Sequence, residues 1–295
     1  HAFDYENQAT EALTLNSLLM YSDTTDESGY GMRFGMSYDP NKFWITGMAY
    51  YRFDDDLNIN DMGYQTRNNL SNFRTFTMYT ENDFLTTSKI LERTYKFGFS
   101  KKADTHGLQL SQNINLSFKQ SFKDTSGFEI KVEHKSSGNN DLLTRGSALA
   151  PFVKLGQGGN FSLMYYGKQD ARWSYWMYLS RDRQSLQSFT TTSNNIALGG
   201  YYYPSDNIKF GIHLGKYNTK NWLNWLEDNR LGTYPLDYFS FKANATWFPK
   251  EKHELRIKFQ TNIMETETGV EWLADSVDSL FNNDRAKQLS LSDFL

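Results

Sequence analysis

Apolar and polar residues alternate with a period of two along most of this chain. The clearest stretch is Asp237 to Ile263. Phe239, Phe241, Ala243, Ala245 and Trp247 alternate with Ser240, Lys242, Asn244 and Thr246. After a polar turn at Pro249–Lys252, Leu255, Ile257, Phe259 and Ile263 alternate with Glu254, Arg256, Lys258, Gln260 and Asn262. A period of two places successive side chains on opposite faces of a strand, and a short turn between two such runs predicts an antiparallel hairpin. One face is aliphatic and aromatic; the other carries charges and amides.

The same unit recurs from the start of the chain. Strands are predicted over Leu13–Tyr21, Tyr30–Tyr38, Lys42–Asp54, Phe73–Glu81, Tyr95–Lys101, Leu108–Phe122 and Phe128–Glu133. Further strands follow over Phe161–Lys168, Arg172–Arg181, Ile196–Tyr203 and Ile208–Tyr217, and Leu289–Leu295 begins another. Counting the opening hairpin, about 13–14 strands are visible, near the length a tilted strand needs to cross a bilayer. Short turns are predicted at Asp39–Asn41, Asp124–Gly127, Gln169–Asp170, Pro204–Asn207 and Pro249–Lys252. Long loops are predicted at Asp54–Leu70, Lys135–Gly159, Asp182–Ser193, Lys216–Pro235 and Glu265–Gln288. Every long loop then falls on the side opposite the short turns, as in outer-membrane barrels. Aromatics at strand ends, such as Tyr38, Tyr95, Tyr201 and Trp247, match interfacial girdles. The predicted fold is an all-β antiparallel transmembrane barrel, a single domain over residues 1–295, incomplete at one or both ends. Alternating aromatic strands also build soluble sandwiches, so a soluble all-β carbohydrate-binding module is the competing reading.

Composition changes this picture little. The 295 residues carry a net charge of −3, and aromatics make up 16 %. With a pI near 6.0, nothing suggests a nucleic-acid partner. There is no cysteine, so neither a disulfide framework nor thiolate chemistry is available. The mean hydropathy of −0.66 looks polar, yet only every second residue of a barrel strand meets lipid. No apolar run is long enough for a transmembrane helix, and the opening HAFDYENQAT is not a signal peptide.

Three stretches carry a family likeness: FDDDLNINDMGYQTRNNL (Phe53–Leu70), DLLTRG (Asp141–Gly146) and KHELRIKFQ (Lys252–Gln260). Together they resemble the C-terminal domain of a bacterial outer-membrane family of unknown function, in which a family-nine-type carbohydrate-binding module usually precedes the barrel. The likeness rests on an Asn-Asp-x-Gly-aromatic run followed by Arg-Asn, here Asn60-Asp61-Met62-Gly63-Tyr64 and Arg67-Asn68. It implies a fragment of a larger barrel in the bacterial outer membrane, with lipid bilayer and lipopolysaccharide as partners and carbohydrate as a ligand class. No activity comes with it.

Candidate chemistry is sparse. Asp54, Asp56 and Asn58 place oxygen ligands at alternate positions, as a calcium loop does, but the glycine and closing Glu of an EF-hand are absent. A solvated loop or latch suits them better, with Asp61, Gly63, Arg67 and Asn68 as its structural motif and Asp61 pairing Arg67. The five histidines are scattered without metal-ligand spacing, and no G-x-S-x-G elbow exists. An enzyme and a bound cofactor are not expected, though an outer-membrane enzyme with a loop-borne site is an alternative. Trp222 and Trp225 are a candidate aromatic platform for sugars, or else pack the loop against the rim. In a barrel Arg33, Lys131, Lys242, Arg256 and Lys258 line the lumen. Positive residues outnumber acidic ones there, so an open lumen favours anions, unless pairs such as Glu254 with Lys242 fill it. The expected function is uptake, export, or anchoring of an outer binding module.

Overall fold

A computed structural model describes residues 2–23, 27–57, 68–143, 148–167, 172–186, 188–250, 253–266, 269–274 and 280–282. The described residues form seventeen strands in one sheet, and no helix. The first eight strands are β1 (Ala2–Thr10), β2 (Leu13–Asp23), β3 (Ser28–Asn41), β4 (Trp44–Phe53), β5 (Leu70–Glu81), β6 (Ile90–Ala103), β7 (Asn113–Phe122) and β8 (Gly127–Lys135). A short β9 (Gly138–Asn140) precedes β10 (Val153–Tyr166), β11 (Trp173–Leu186), β12 (Thr190–Ser205), β13 (Ile208–Glu227), β14 (Arg230–Lys250) and β15 (His253–Thr266). The short β16 (Val270–Ala274) and β17 (Leu280–Asn282) follow.

Each long strand lies antiparallel to the next in sequence, with β8 pairing β10 directly. The meander continues through β15. Local turn chemistry sets the reversals. Asn41 Oδ1 accepts hydrogen bonds from the backbone N–H of Phe43 (2.9 Å) and Trp44 (3.1 Å). The first of the predicted turns therefore lies at Lys42–Phe43, and Asp39–Asn41 belongs to β3. In the next turn of this kind Asp124 Oδ1 accepts from the N–H and hydroxyl of Ser126.

The expectation of a barrel is met only in part. The sheet is antiparallel and all-β, but β1 pairs along β2 and β15 along β14, with no register joining the two among the described residues. Both edge strands are exposed along almost their whole length. β1 is a strand beyond those expected from the sequence, and the strand expected at Leu289–Leu295 lies outside the described residues.

Two predicted loops are strands instead. β11 reaches Leu186 and β12 resumes at Thr190, across most of Asp182–Ser193. Lys216–Pro235 is the far half of the β13–β14 hairpin, closed by Asp228–Asn229. Part of Glu265–Gln288 forms β16, which pairs with the tip of β14. At one end of the sheet the connections run from two to eight residues, with 82–89 the longest. The other end holds the long connections 54–69, 104–112 and 136–152 together with the projecting hairpin.

Registers place the apolar residues of neighbouring strands side by side. One row runs Trp44, Tyr79, Tyr95, Phe118 and Ile130 across β4–β8; another runs Leu163, Leu179, Ile196 across β10–β12. Leu198, Leu214 and Phe241 continue the face across β12–β14. This face is open: Ile257 is 66 % exposed, Leu116 53 % and Ile212 49 %. At the short-turn end it carries a ladder of rings. Trp44–Tyr79, Tyr79–Tyr95, Tyr95–Phe118 and Phe118–Phe128 have centroids 4.7, 6.2, 5.0 and 5.7 Å apart. No second sheet covers the face among the described residues. The buried cluster of Ala150, Val153, Leu186 and Leu231 sits at the opposite end, where Leu155, Leu223, Trp225 and Trp272 pack on it.

Candidate functional site

The other face gathers the polar residues. Arg33, Lys131, Lys242, Arg256 and Lys258 all lie on it, each offset by one from an apolar neighbour on its strand. Their surroundings differ. Lys131 Nζ is 3.1 Å from Glu129, and Lys135 Nζ, at the end of the same strand, is 3.6 Å from Asp182. Arg256 pairs with Glu254 on its own strand, so the expected Glu254–Lys242 pair does not form; Lys242 faces Gln260 and His213 instead. Lys131 and Lys135 of β8 and Arg256 of β15 thus have their charge offset locally, and β8 does so for both of its cations.

The region spanning β2–β7 does not. Here the polar face holds a concavity of about 570 Å³ lined by Arg33, Arg74, Lys96 and Lys102, with no Asp or Glu in its wall. The Cζ atoms of Arg33 and Arg74 lie 5.5 and 4.8 Å from the centroid of one ring, Tyr51. Lys96 Nζ lies 5.2 Å from the Phe76 ring. Glycines let the floor lie flat: a Cβ on Gly98 would come within 2.6 Å of Asn115 Oδ1, and one on Gly47 within 2.6 Å of Phe76 Cε1. The Oδ1 atom of Asn72, beside the concavity, is buried without a hydrogen-bond partner.

Sequence reasoning does not single out Arg74, Lys96 or Lys102. Arg74 lies on a strand whose outward positions include Thr75 and Thr77, so its alternation is faint. The available signal is parity with Phe73 and Tyr79, which puts Arg74 on the face of Arg33.

The acidic loop closes over the long-connection end. Leu57 is 1 % exposed and packs on Gly29 and Gly31 of β3. Asp55 Oδ1 accepts from Thr105 Oγ1 (2.6 Å), Asn69 Oδ1 from the Thr105 N–H (2.7 Å), and the Asp55 carbonyl from Asn68 Nδ2 (2.6 Å). The latch therefore joins two neighbouring connections. Asn58, Asp61, Gly63 and Arg67 lie outside the described residues, and with them the expected Asp61–Arg67 pair. Asp54 and Asp56 lie in the latch, and no group of potential metal ligands occurs among the described residues.

Trp222 and Trp225 sit on β13 rather than on a loop. Trp222 faces Tyr234 across the hairpin. Trp225 packs on the buried cluster and donates Nε1–H to the Asp228 carbonyl (3.1 Å). Beside it Arg230 grips Glu271, itself 2 % exposed, through Nε (2.5 Å) and Nη2 (3.0 Å). The bond to Glu271 raises the Arg230 pKa above its ordinary value, so the guanidinium stays charged.

These features define a single-sheet antiparallel all-β domain with one apolar and one polar face. The chain belongs to the family described as Domain of unknown function (DUF5916), whose model matches residues 3–250. No curated protein and no solved structure matches the chain.

Proposed function

We propose that this domain is the wall of a bacterial outer-membrane β-barrel that passes hydrophilic solutes, with the apolar face towards lipid and lipopolysaccharide and the polar face towards water. The inverted exposure of the sheet carries this reading. Its large aliphatic and aromatic side chains are the exposed ones, whereas glycines, amides and hydroxyls on the other face are more sheltered. A water-bathed domain hides the first kind and exposes the second. An uncovered apolar face of this extent needs an apolar environment.

The dimensions agree. On β13 and β14 the apolar band runs from the Ile208–Trp247 pair to Lys216–Phe239, about 27 Å along the strand at roughly 3.4 Å per residue. Outer-membrane barrels have a lipid-facing band about 25 Å tall, bordered by aromatic girdles. The ring ladder at the short-turn end fits such a border. In lipid no strand edge can stay unpaired, so in this reading the free edges of β1 and β15 close on each other or on further strands.

Planar-bilayer recording on the full-length protein tests the reading. Stable conductance steps with anion preference are expected. Insertion without conductance would replace passage with anchoring of an outer module, and failure to insert would overturn the membrane assignment.

A further inference from the structure

We propose that the β3–β6 part of the polar face is a binding site for the oxyanion of a hydrophilic solute, a carboxylate or a phosphate. This deepens the reading above by naming a substrate class. It rests on the polar face being bathed in water.

Four observations converge. Arg33, Tyr51, Asn72 and Lys102 form one cross-strand row over β3–β6, spanning about 14 Å at roughly 4.8 Å per strand. Arg74, two residues along β5 from Asn72, shares the Tyr51 ring with Arg33. Two guanidinium groups held at one ring repel each other, and an anion between them would relieve that repulsion. None of the four cations makes an ion pair with a described residue, although Lys131 and Lys135 of β8 and Arg256 of β15 do. Finally, the space is real, because Gly35, Gly47 and Gly98 keep the floor low and Asn16 and Asn115 lie flat over it.

The chemistry of the lining selects the ligand. A guanidinium fork matches carboxylate or phosphate oxygens two at a time. Lys96 and Lys102 add mobile point charges along the same face. The amides of Asn16 and Asn115, with the hydroxyls of Ser37 and Ser100, suit the hydroxyl groups of a hydrophilic body. Tyr51 holds the two arginines over the site by its ring face.

The test is calorimetric titration of the full-length protein in detergent with inorganic phosphate and, separately, with succinate. Detergent removes the need for a bilayer, so this assay succeeds or fails independently of insertion into liposomes. Saturable binding of at least one probe is expected, and the tighter probe assigns phosphate or carboxylate. Arg74→Gln should weaken it by about tenfold, the loss of a charged hydrogen-bond donor, with Arg74→Lys falling between. The Arg33→Gln/Arg74→Gln pair should abolish it, whereas Lys131→Gln, whose lysine is already neutralised by Glu129, should leave it within about twofold. Absence of saturation by both probes in the native protein overturns the site. So does equal binding by the double variant.

Discussion

Single residues decide how the sheet ends are sealed. Gly29 is the sharpest case, because a Cβ there would overlap the backbone of Asp56 and Leu57. Gly29→Val should push the 54–57 latch off β3 and cost about 1–3 kcal/mol, the usual range for overpacking. A lower denaturation midpoint, together with faster proteolysis of the connection after β4, checks this; an unchanged midpoint contradicts it. Acidic composition alone leaves a solvated loop and a latch both open, and it does not show the partners. Asp55 meets Thr105, fifty residues away, and Leu57 reads as one apolar residue in a polar run until Gly29 and Gly31 are seen beneath it. The cations Arg74, Lys96 and Lys102 escape sequence reading for a related reason. Alternation assigns a residue to a face, but only strand order and register bring four such residues to one concavity.

At the scale of elements, alternation marks strands only where one face is apolar. Along Ile208–Leu214 and Phe239–Trp247 the pattern is plain, and the expected strands are present. Beyond Lys216 it fades, since Asn218, Lys220, Asn221 and Asn224 are polar on both faces, and the segment looks like a loop. In a membrane-embedded sheet that part of the hairpin projects past the lipid, so nothing demands an apolar face. It is held instead by the cluster around Leu231 and by the Arg230–Glu271 pair. Glu271→Gln removes the buried carboxylate from a half-buried Arg230 that Glu227 still engages, and should cost about 2 kcal/mol, read as early loss of the hairpin tip in hydrogen exchange. The raised Arg230 pKa fixes the pH behaviour. Its stabilisation is complete below the unfolded pKa and is lost only as pH rises through the still higher folded value. The arginine side of this contact should therefore show no pH dependence from neutrality into mild alkali; a transition in that range tracking Arg230 would contradict the assignment.

At the scale of the molecule, the contrast between the two faces is what points to a membrane. Ile212 and Leu198 sit within the apolar band, and Ile212→Arg or Leu198→Arg should each cost about 2–4 kcal/mol in lipid if they lie at the midplane. Lys209→Gln, on the other face, should cost far less. Urea unfolding in liposomes distinguishes the two. The single sheet and the segregation of its faces are legible in the sequence; closure is not, because it depends on what lies beside β1 and β15 rather than on any strand's own pattern. The most direct test uses the absence of cysteine from these 295 residues. Single cysteines placed in turn at residues 208–215 of the full-length protein in liposomes would carry a spin label, and collision with oxygen and with a water-soluble nickel chelate would be measured. A lipid-facing apolar band predicts alternation with a period of two: Phe210, Ile212 and Leu214 accessible to oxygen, Lys209, Gly211 and His213 to the chelate. Equal access of the chelate to both sets would place the apolar face in water and contradict the membrane assignment.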